Sequence, residues 1–231
     1  MDRDARLHLT FLGVYLLALL VSAIQPYDYY TWLLEVAPSL IALPILLLTY
    51  RRFRLSNVLY GLITFHALVL ILGGHYTYAR VPLGEWARDA FDLSRNHYDR
   101  FGHFVQGVTP VIVAREIVLR RSDLRRGALL SILCVCAALA VSAVYELVEW
   151  VAAVASGSAA TEFLGTQGDP WDTQKDMGMA LLGALFALFA LARWHDASVS
   201  RRSRPSSPSG ESTSTSRSPR SAQDFASVDD K

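Results

Sequence analysis

The sequence predicts an all-α membrane protein, a bundle of about six transmembrane helices with the N-terminus and the C-terminus both cytoplasmic. Three observations predict it. Of 231 residues, 52% are hydrophobic and only 19% are charged, against roughly a quarter in an ordinary soluble domain. The apolar residues run in long blocks, and a bilayer core asks for about 20 mostly apolar residues per helix. The arginines stand at the ends of those blocks, so the net charge of +1 gives no footing to nucleic-acid binding.

Taken in order, the spans cover residues 7–25, 31–50, 55–74, 99–119, 127–150 and 176–194. Pro38, Pro44 and Pro110 fall inside two of them, which a bundle tolerates when neighbouring groups satisfy the freed carbonyls. Orientation follows from basic residues, which favour the cytoplasmic side. Arg3 and Arg6 precede span one. Arg51, Arg52 and Arg54 separate spans two and three, Arg120, Arg121, Arg125 and Arg126 separate spans four and five, and Arg201, Arg202 and Arg204 follow span six. The alternate loops hold few. The first span also has the layout of a secretory signal, with Val21-Ser22-Ala23 at its end; its length and the spans after it favour a retained helix. Tyr27, Tyr29, Tyr30 and Trp32 read as an interfacial aromatic belt.

The chain divides into a polytopic domain, 1–195, and a tail, 196–231, rich in serine, arginine and proline. The tail has too few large apolar residues to offset its ordering entropy and is expected to be disordered in the cytoplasm. Cys134 and Cys136 point roughly 200° apart on a helix, so they read as small core residues rather than a bridge or a metal pair.

Ionisable residues inside a bilayer are costly and mark function by default. Here they follow helical spacing. Asp99, His103 and Gln106 recur at i, i+4 and i+7 in span four, and Ser142, Glu146 and Glu149 repeat the interval in span five. Asp172 and Asp176 open span six. Each set shares one helical face in the outer part of the membrane, and His75, Asn96 and His97 lie on the same side. These residues (Asp99, His103, Gln106, Glu146, Glu149, Asp172, Asp176, His75, Asn96 and His97) form the expected polar pocket. His103, Glu146 and Glu149 are its catalytic candidates. His103, Glu149, Asp172 and Asp176 are the candidate ligands of a divalent metal, which would relieve repulsion among crowded carboxylates.

Plainer roles compete. Asp172 and Asp176 also suit first-turn acids stabilised by the helix dipole. Glu149 and Trp150 suit interfacial anchors, His103 a hydrogen bond to Asp99, His66 a satisfied bundle histidine, and Arg115 with Glu116 a snorkelling or paired couple. The loop 157–175 mixes turn glycines with Phe163, Leu164 and Trp171 and reads as an ordered lid. The loop 75–98, with Trp86 and Phe91, reads as the source of an interfacial helix.

At these same positions the chain resembles the YjdF-like family of bacterial inner-membrane proteins. The resemblance rests on His75-Tyr76-Thr77-Tyr78, on Arg95-Asn96-His97-Tyr98-Asp99-Arg100-Phe101-Gly102-His103-Phe104, on Tyr145-Glu146-Leu147-Val148-Glu149-Trp150 and on Gly165-Thr166-Gln167-Gly168-Asp169-Pro170-Trp171-Asp172-Thr173-Gln174. It covers residues 7–194 and implies a bacterial cytoplasmic-membrane protein without an established biochemical role. A looser likeness is to VanZ-like membrane proteins. Asp99 with His103-Phe104, Glu146, and Asp176 with Gly183 look like their acid/His-Phe, glutamate and acid/glycine elements. Glu149 stands where those proteins commonly have glutamine and Ala180 where they commonly have asparagine, so this likeness implies a shared bundle and little about substrate.

Three functions fit this reading: a protein recognising a lipid or envelope component at the outer leaflet, a metal-assisted enzyme acting on a lipid-linked headgroup, and a small proton- or cation-coupled transporter. Spans four to six are almost purely apolar in their inner halves apart from Arg115 and Glu116, which disfavours the transporter.

Overall fold

The computed structural model describes residues 3–156 and 166–202. They form helices α1 (Arg3–Ser22), α2 (Tyr29–Thr49), α3 (Asn57–Tyr76), α4 (Pro82–Ala90), α5 (Tyr98–Arg121), α6 (Ala128–Ser156), α7 (Asp172–Ala190) and α8 (Ala192–Arg202), with a 3-10 turn at Tyr78–Arg80 and no strand among the described residues. Local chemistry sets several starts. The Asp28 carboxylate accepts from the Thr31 N–H at 2.7 Å ahead of α2, and the Ser56 hydroxyl accepts from the Leu59 N–H at 3.3 Å ahead of α3. Pro82 opens α4, where its missing N–H costs nothing.

Helix α3 carries α1 and α2 on one side and α5 on the other, and α5 packs along α6, α7 and α8. The apolar heart lies around Leu59, Val108, Val111, Ile112, Leu130, Cys134, Ala138, Ala184 and Ala187. Cys136 is exposed while Cys134 is buried, as their spacing on a helix requires. Outward, α1, α2, α6 and α7 present large apolar side chains, among them Leu17, Leu48, Val154 and Phe189 at 65%, 80%, 69% and 90% exposure. Bare apolar surface on that scale suits lipid rather than water.

Helices α1, α2, α3 and α6 are long and apolar enough to cross a bilayer, and α7 with α8, bent by 59° at a short break, give a fifth if they are one span. The expected count of about six adds α5. At 24 residues it is long enough, about 36 Å, but its charges keep it from qualifying on composition. They are turned inward instead: Asp99, His103, Arg115 and Glu116 are all buried between neighbouring helices.

Helices α5 and α7 touch backbone to backbone. A Cβ on Gly107 would run into the Ala180 carbonyl, and one on Gly183 into the Phe104 carbonyl. Small residues at a helix crossing permit this approach. It sets the N-terminal turns of the two helices side by side.

The tail boundary moves. Residues 196–202, expected in the tail, continue α8, because Asp196 and Val199 are buried against the bundle. The rest of the expected tail, and residues 157–165 of the expected lid, lie outside the described residues. The loop 75–98 does hold a helix, α4, with Leu83, Trp86 and Phe91 exposed.

Candidate functional site

The rim of the bundle at the N-terminal end of α5 is a frame of paired charges. Arg95 meets Asp172 at 2.5 Å and also donates to the Thr166 carbonyl at 3.1 Å. Arg100 and Lys175 each reach the same Asp169 carboxylate oxygen at 2.6 Å. Asp169 is pushed down to about 2, first by the Lys175 hydrogen bond and then by the Trp171 N–H. His97, half-buried beside Arg100, is held below its ordinary value, by burial first and by the neighbouring guanidinium groups next.

Asn96 belongs to this frame. It is 1% exposed. Its amide donates to the Val81 carbonyl at 3.1 Å and to Glu85 at 3.0 Å, and its oxygen accepts from the Tyr98 N–H at 3.0 Å. Its backbone exchanges hydrogen bonds with the Gln167 side chain at 3.2 and 2.9 Å. One residue thus ties α4, the start of α5 and the turn before α7, the first two through its side chain and the last through its backbone. His75 stands apart, with Nδ1 on the Ser22 carbonyl at 2.9 Å, where it joins α3 to the end of α1.

One turn below the rim the pairing stops. Asp99 and His103 from α5, Asp176 from α7, Glu146 and Glu149 from α6 and Glu35 from α2 are all buried. His103 Nε2 lies 3.6 Å from Asp99 Oδ1 and 3.5 Å from Glu146 Oε1. Ligand-capable atoms of Asp99, His103 and Asp176 all fall within 4.8 Å of one another. The Tyr145 hydroxyl donates to Glu35 at 2.9 Å, and its ring meets the His103 ring edge-on at 6.0 Å. Five buried side-chain atoms here make no hydrogen bond with the described chain: His103 Nδ1, Gln106 Oε1, Ser142 Oγ, Glu146 Oε1 and Asp176 Oδ1. Each such atom ordinarily costs about 1–3 kcal/mol.

Of the sequence candidates, the fold therefore brings Asp99, His103, Gln106, Glu146, Glu149 and Asp176 into one region. It assigns Asp172, Asn96 and His97 to the rim and sets His75 elsewhere. Asp172 opens α7, as a first-turn acid should, but its partner is Arg95. Glu149 is 9% exposed whereas Trp150 is 62% exposed, so of that pair only the tryptophan faces outward. His66 is half-buried on α3.

A second polar cluster occupies the other end of α5. Glu116, fully buried, accepts from the Ser56 N–H at 2.8 Å and from Arg120 at 2.7 Å, and its second oxygen pairs with His195 Nε2 at 3.0 Å. Arg115 grips Asp196 with two parallel bonds of 2.9 and 2.8 Å, and Arg126 adds a third at 3.0 Å. Sequence reasoning read Arg115 and Glu116 as snorkelling or paired residues but named no partners for them. The available signal was His195-Asp196 directly after the last apolar block. Nearby, His8 bridges the Tyr50 hydroxyl and Asn57, both at 2.8 Å.

A family model described as "Predicted membrane protein (DUF2238)" matches residues 7–197. The chain is 50% identical to the inner membrane protein YjdF of Escherichia coli (strain K12) over 185 residues, which is 80% of this chain and 88% of that protein. No solved structure matches it. The match spans all the helices that build the two clusters, and the chain belongs to the DUF2238 family of membrane proteins.

Proposed function

We propose that this chain is a multi-pass protein of the bacterial inner membrane that crosses it six times, with both termini cytoplasmic. In this reading the buried cluster of α5, α6 and α7 is a pocket at the outer face that recognises a lipid or envelope component. The orientation rests on the arginines, which gather at the end opposite the cluster. The relative's name and the apolar exterior support the location.

One observation supports the pocket: His103, Glu146 and Asp176 approach one another from three helices, and each holds a buried polar atom without a hydrogen-bond partner among the described residues. A protein holds such atoms against their desolvation cost where a ligand completes them. The exposed Leu83, Trp86 and Phe91 around α4 lie at the same end and suit an interfacial helix beside the pocket mouth. The looser VanZ-like likeness points to the same elements: Asp99 with His103, Glu146, and Asp176 with Gly183.

A second reading, a metal-assisted enzyme acting on a lipid-linked headgroup, draws on the 3.5 Å approach of His103 to Glu146. Glu146 or Glu149 would then be base or ligand and His103 acid, base or ligand. Transport is disfavoured. Val108, Val111, Ile112, Ala184 and Ala187, all buried, separate the two polar clusters with apolar side chains.

The test is native mass spectrometry of the full chain reconstituted in phosphatidylethanolamine/phosphatidylglycerol nanodiscs doped with an envelope lipid extract. The expected result is one retained headgroup species, weakened about tenfold in Asp176→Asn and Gln106→Ala. Equal retention in the variants and the wild type would refute the pocket.

A further inference from the structure

We propose that Asp99, His103 and Asp176 hold a divalent transition-metal cation, bound between α5 and α7. The inference rests on the reading of this cluster as the functional site and gives that site its cation. Its first support is geometric. Two ligands at about 2.1 Å around a tetrahedral ion lie about 3.4 Å apart, and His103 Nε2 is 3.6 Å from Asp99 Oδ1. The candidate ligand atoms of all three residues lie within 4.8 Å of one another, and the residues are 9%, 4% and 2% exposed. Small side-chain shifts close that set on one ion.

The second support is independent of the three ligands' spacing. Glu146 Oε1 is buried, has no hydrogen-bond partner among the described residues and lies 3.5 Å from His103 Nε2. Asp176 Oδ1 is likewise buried without a partner. Two buried carboxylate oxygens that lack a donor among the described residues, on acids beside the same histidine, are placed as ligands of a cation would be.

The third is charge. Five carboxylates, on Glu35, Asp99, Glu146, Glu149 and Asp176, are buried together. The guanidinium groups closest by, Arg95 and Arg100, are engaged by Asp172 and Asp169 on the rim. Tyr145 serves only Glu35. A dication between Asp99 and Asp176 neutralises the two acids that α5 and α7 bring face to face, and Glu146 is positioned as a fourth ligand or as the base beside a bound water. One imidazole with carboxylates suits Zn2+ or Mn2+ better than Ca2+, which takes six to eight oxygens.

The experiment uses full-length protein purified without a histidine tag or chelator. Elemental analysis should find about one transition-metal ion per chain. After EDTA stripping, Zn2+ titration against a competing chelator should show affinity reduced at least tenfold in Asp99→Asn, His103→Gln and Asp176→Asn, and unchanged in the exposed control Cys136→Ala. X-ray absorption of the zinc-loaded wild type should show nitrogen and oxygen ligands and no sulfur, which keeps the proposal falsifiable if a variant fails to fold. A wild type that binds no ion, sulfur ligation, or undiminished affinity in the folded variants would overturn it. Headgroup retention measured on the stripped protein separates the two readings. Retention without any metal binding sinks the cation alone, and metal binding without retention sinks the lipid pocket alone.

Discussion

At the arginine end of α5, Glu116 is fully buried and yet has a donor on each oxygen: Ser56 and Arg120 on one, His195 on the other. Four turns away on the same helix, Asp99 and His103 are buried to a similar degree beside Glu146 and Asp176, each of which has one carboxylate oxygen without a hydrogen-bond partner among the described residues. One helix and one depth of burial thus show two treatments of buried carboxylates: both oxygens of Glu116 are answered by donors, whereas Glu146 and Asp176 each keep one oxygen that is not. A buried charge with complete hydrogen bonding holds helices together. A buried polar group left incomplete works against the fold, and the proposed pocket accounts for these by a ligand that completes them.

The comparison breaks or holds first on a matched pair of substitutions. Glu116→Gln keeps the shape but removes the charge that Arg120 and His195 answer. Leaving the Arg120 guanidinium and the His195 ring against an amide should cost about 3 kcal/mol, a fall in Tm of roughly 6–12 °C for a domain of this size. Thermal unfolding of the detergent-solubilised protein measures it. A change below about 1 °C would mean that the cluster at this end is no more than decoration.

Glu146→Gln is the other half of the pair, and its sign should be reversed. With EDTA present, loss of one carboxylate from a crowded group relieves repulsion and desolvation together. The expected gain is about 1 kcal/mol, a rise in Tm of roughly 2–4 °C. Removing functional acids commonly stabilises in this way. A fall equal to that of Glu116→Gln would erase the distinction between the two ends.

The sequence made these two regions visible to different degrees, for a physical reason. Helical periodicity places residues of one helix on one face, so Asp99, His103 and Gln106 were legible as a stripe, and so were Ser142, Glu146 and Glu149. The six long helices were legible from apolar blocks bounded by arginines. Pairing between helices carries no such period. Arg95 meets Asp172 across 77 positions and Tyr145 meets Glu35 across 110, distances that only the bundle's packing fixes. The same limit hid His195, which lies just past the last apolar block, and Asp196, which reads as the first residue of the tail. It also left His75 grouped with a site from which α3 carries it away.

The smallest effect sharpens the contrast within one end, between the paired rim and the unpaired interior. A free aspartate protonates near pH 4, but Asp169 is pushed down to about 2 by Lys175 and the Trp171 N–H. A carboxyl group with a depressed value in the folded protein contributes stability above its unfolded value and loses that contribution as pH falls. The clasp over residues 166–175 should therefore hold from neutral pH to about 4 and open between about 4 and 2. Hydrogen-exchange mass spectrometry of that segment, read as protection factors, should be flat above pH 4 and fall below it. In Lys175→Met the principal donor is gone, the carboxyl group returns toward its ordinary value, and loss of protection should begin at higher pH. An unchanged onset in that variant would show that Lys175 does not hold the rim closed, and the frame around the interior would then rest on Arg95, Arg100 and Asn96.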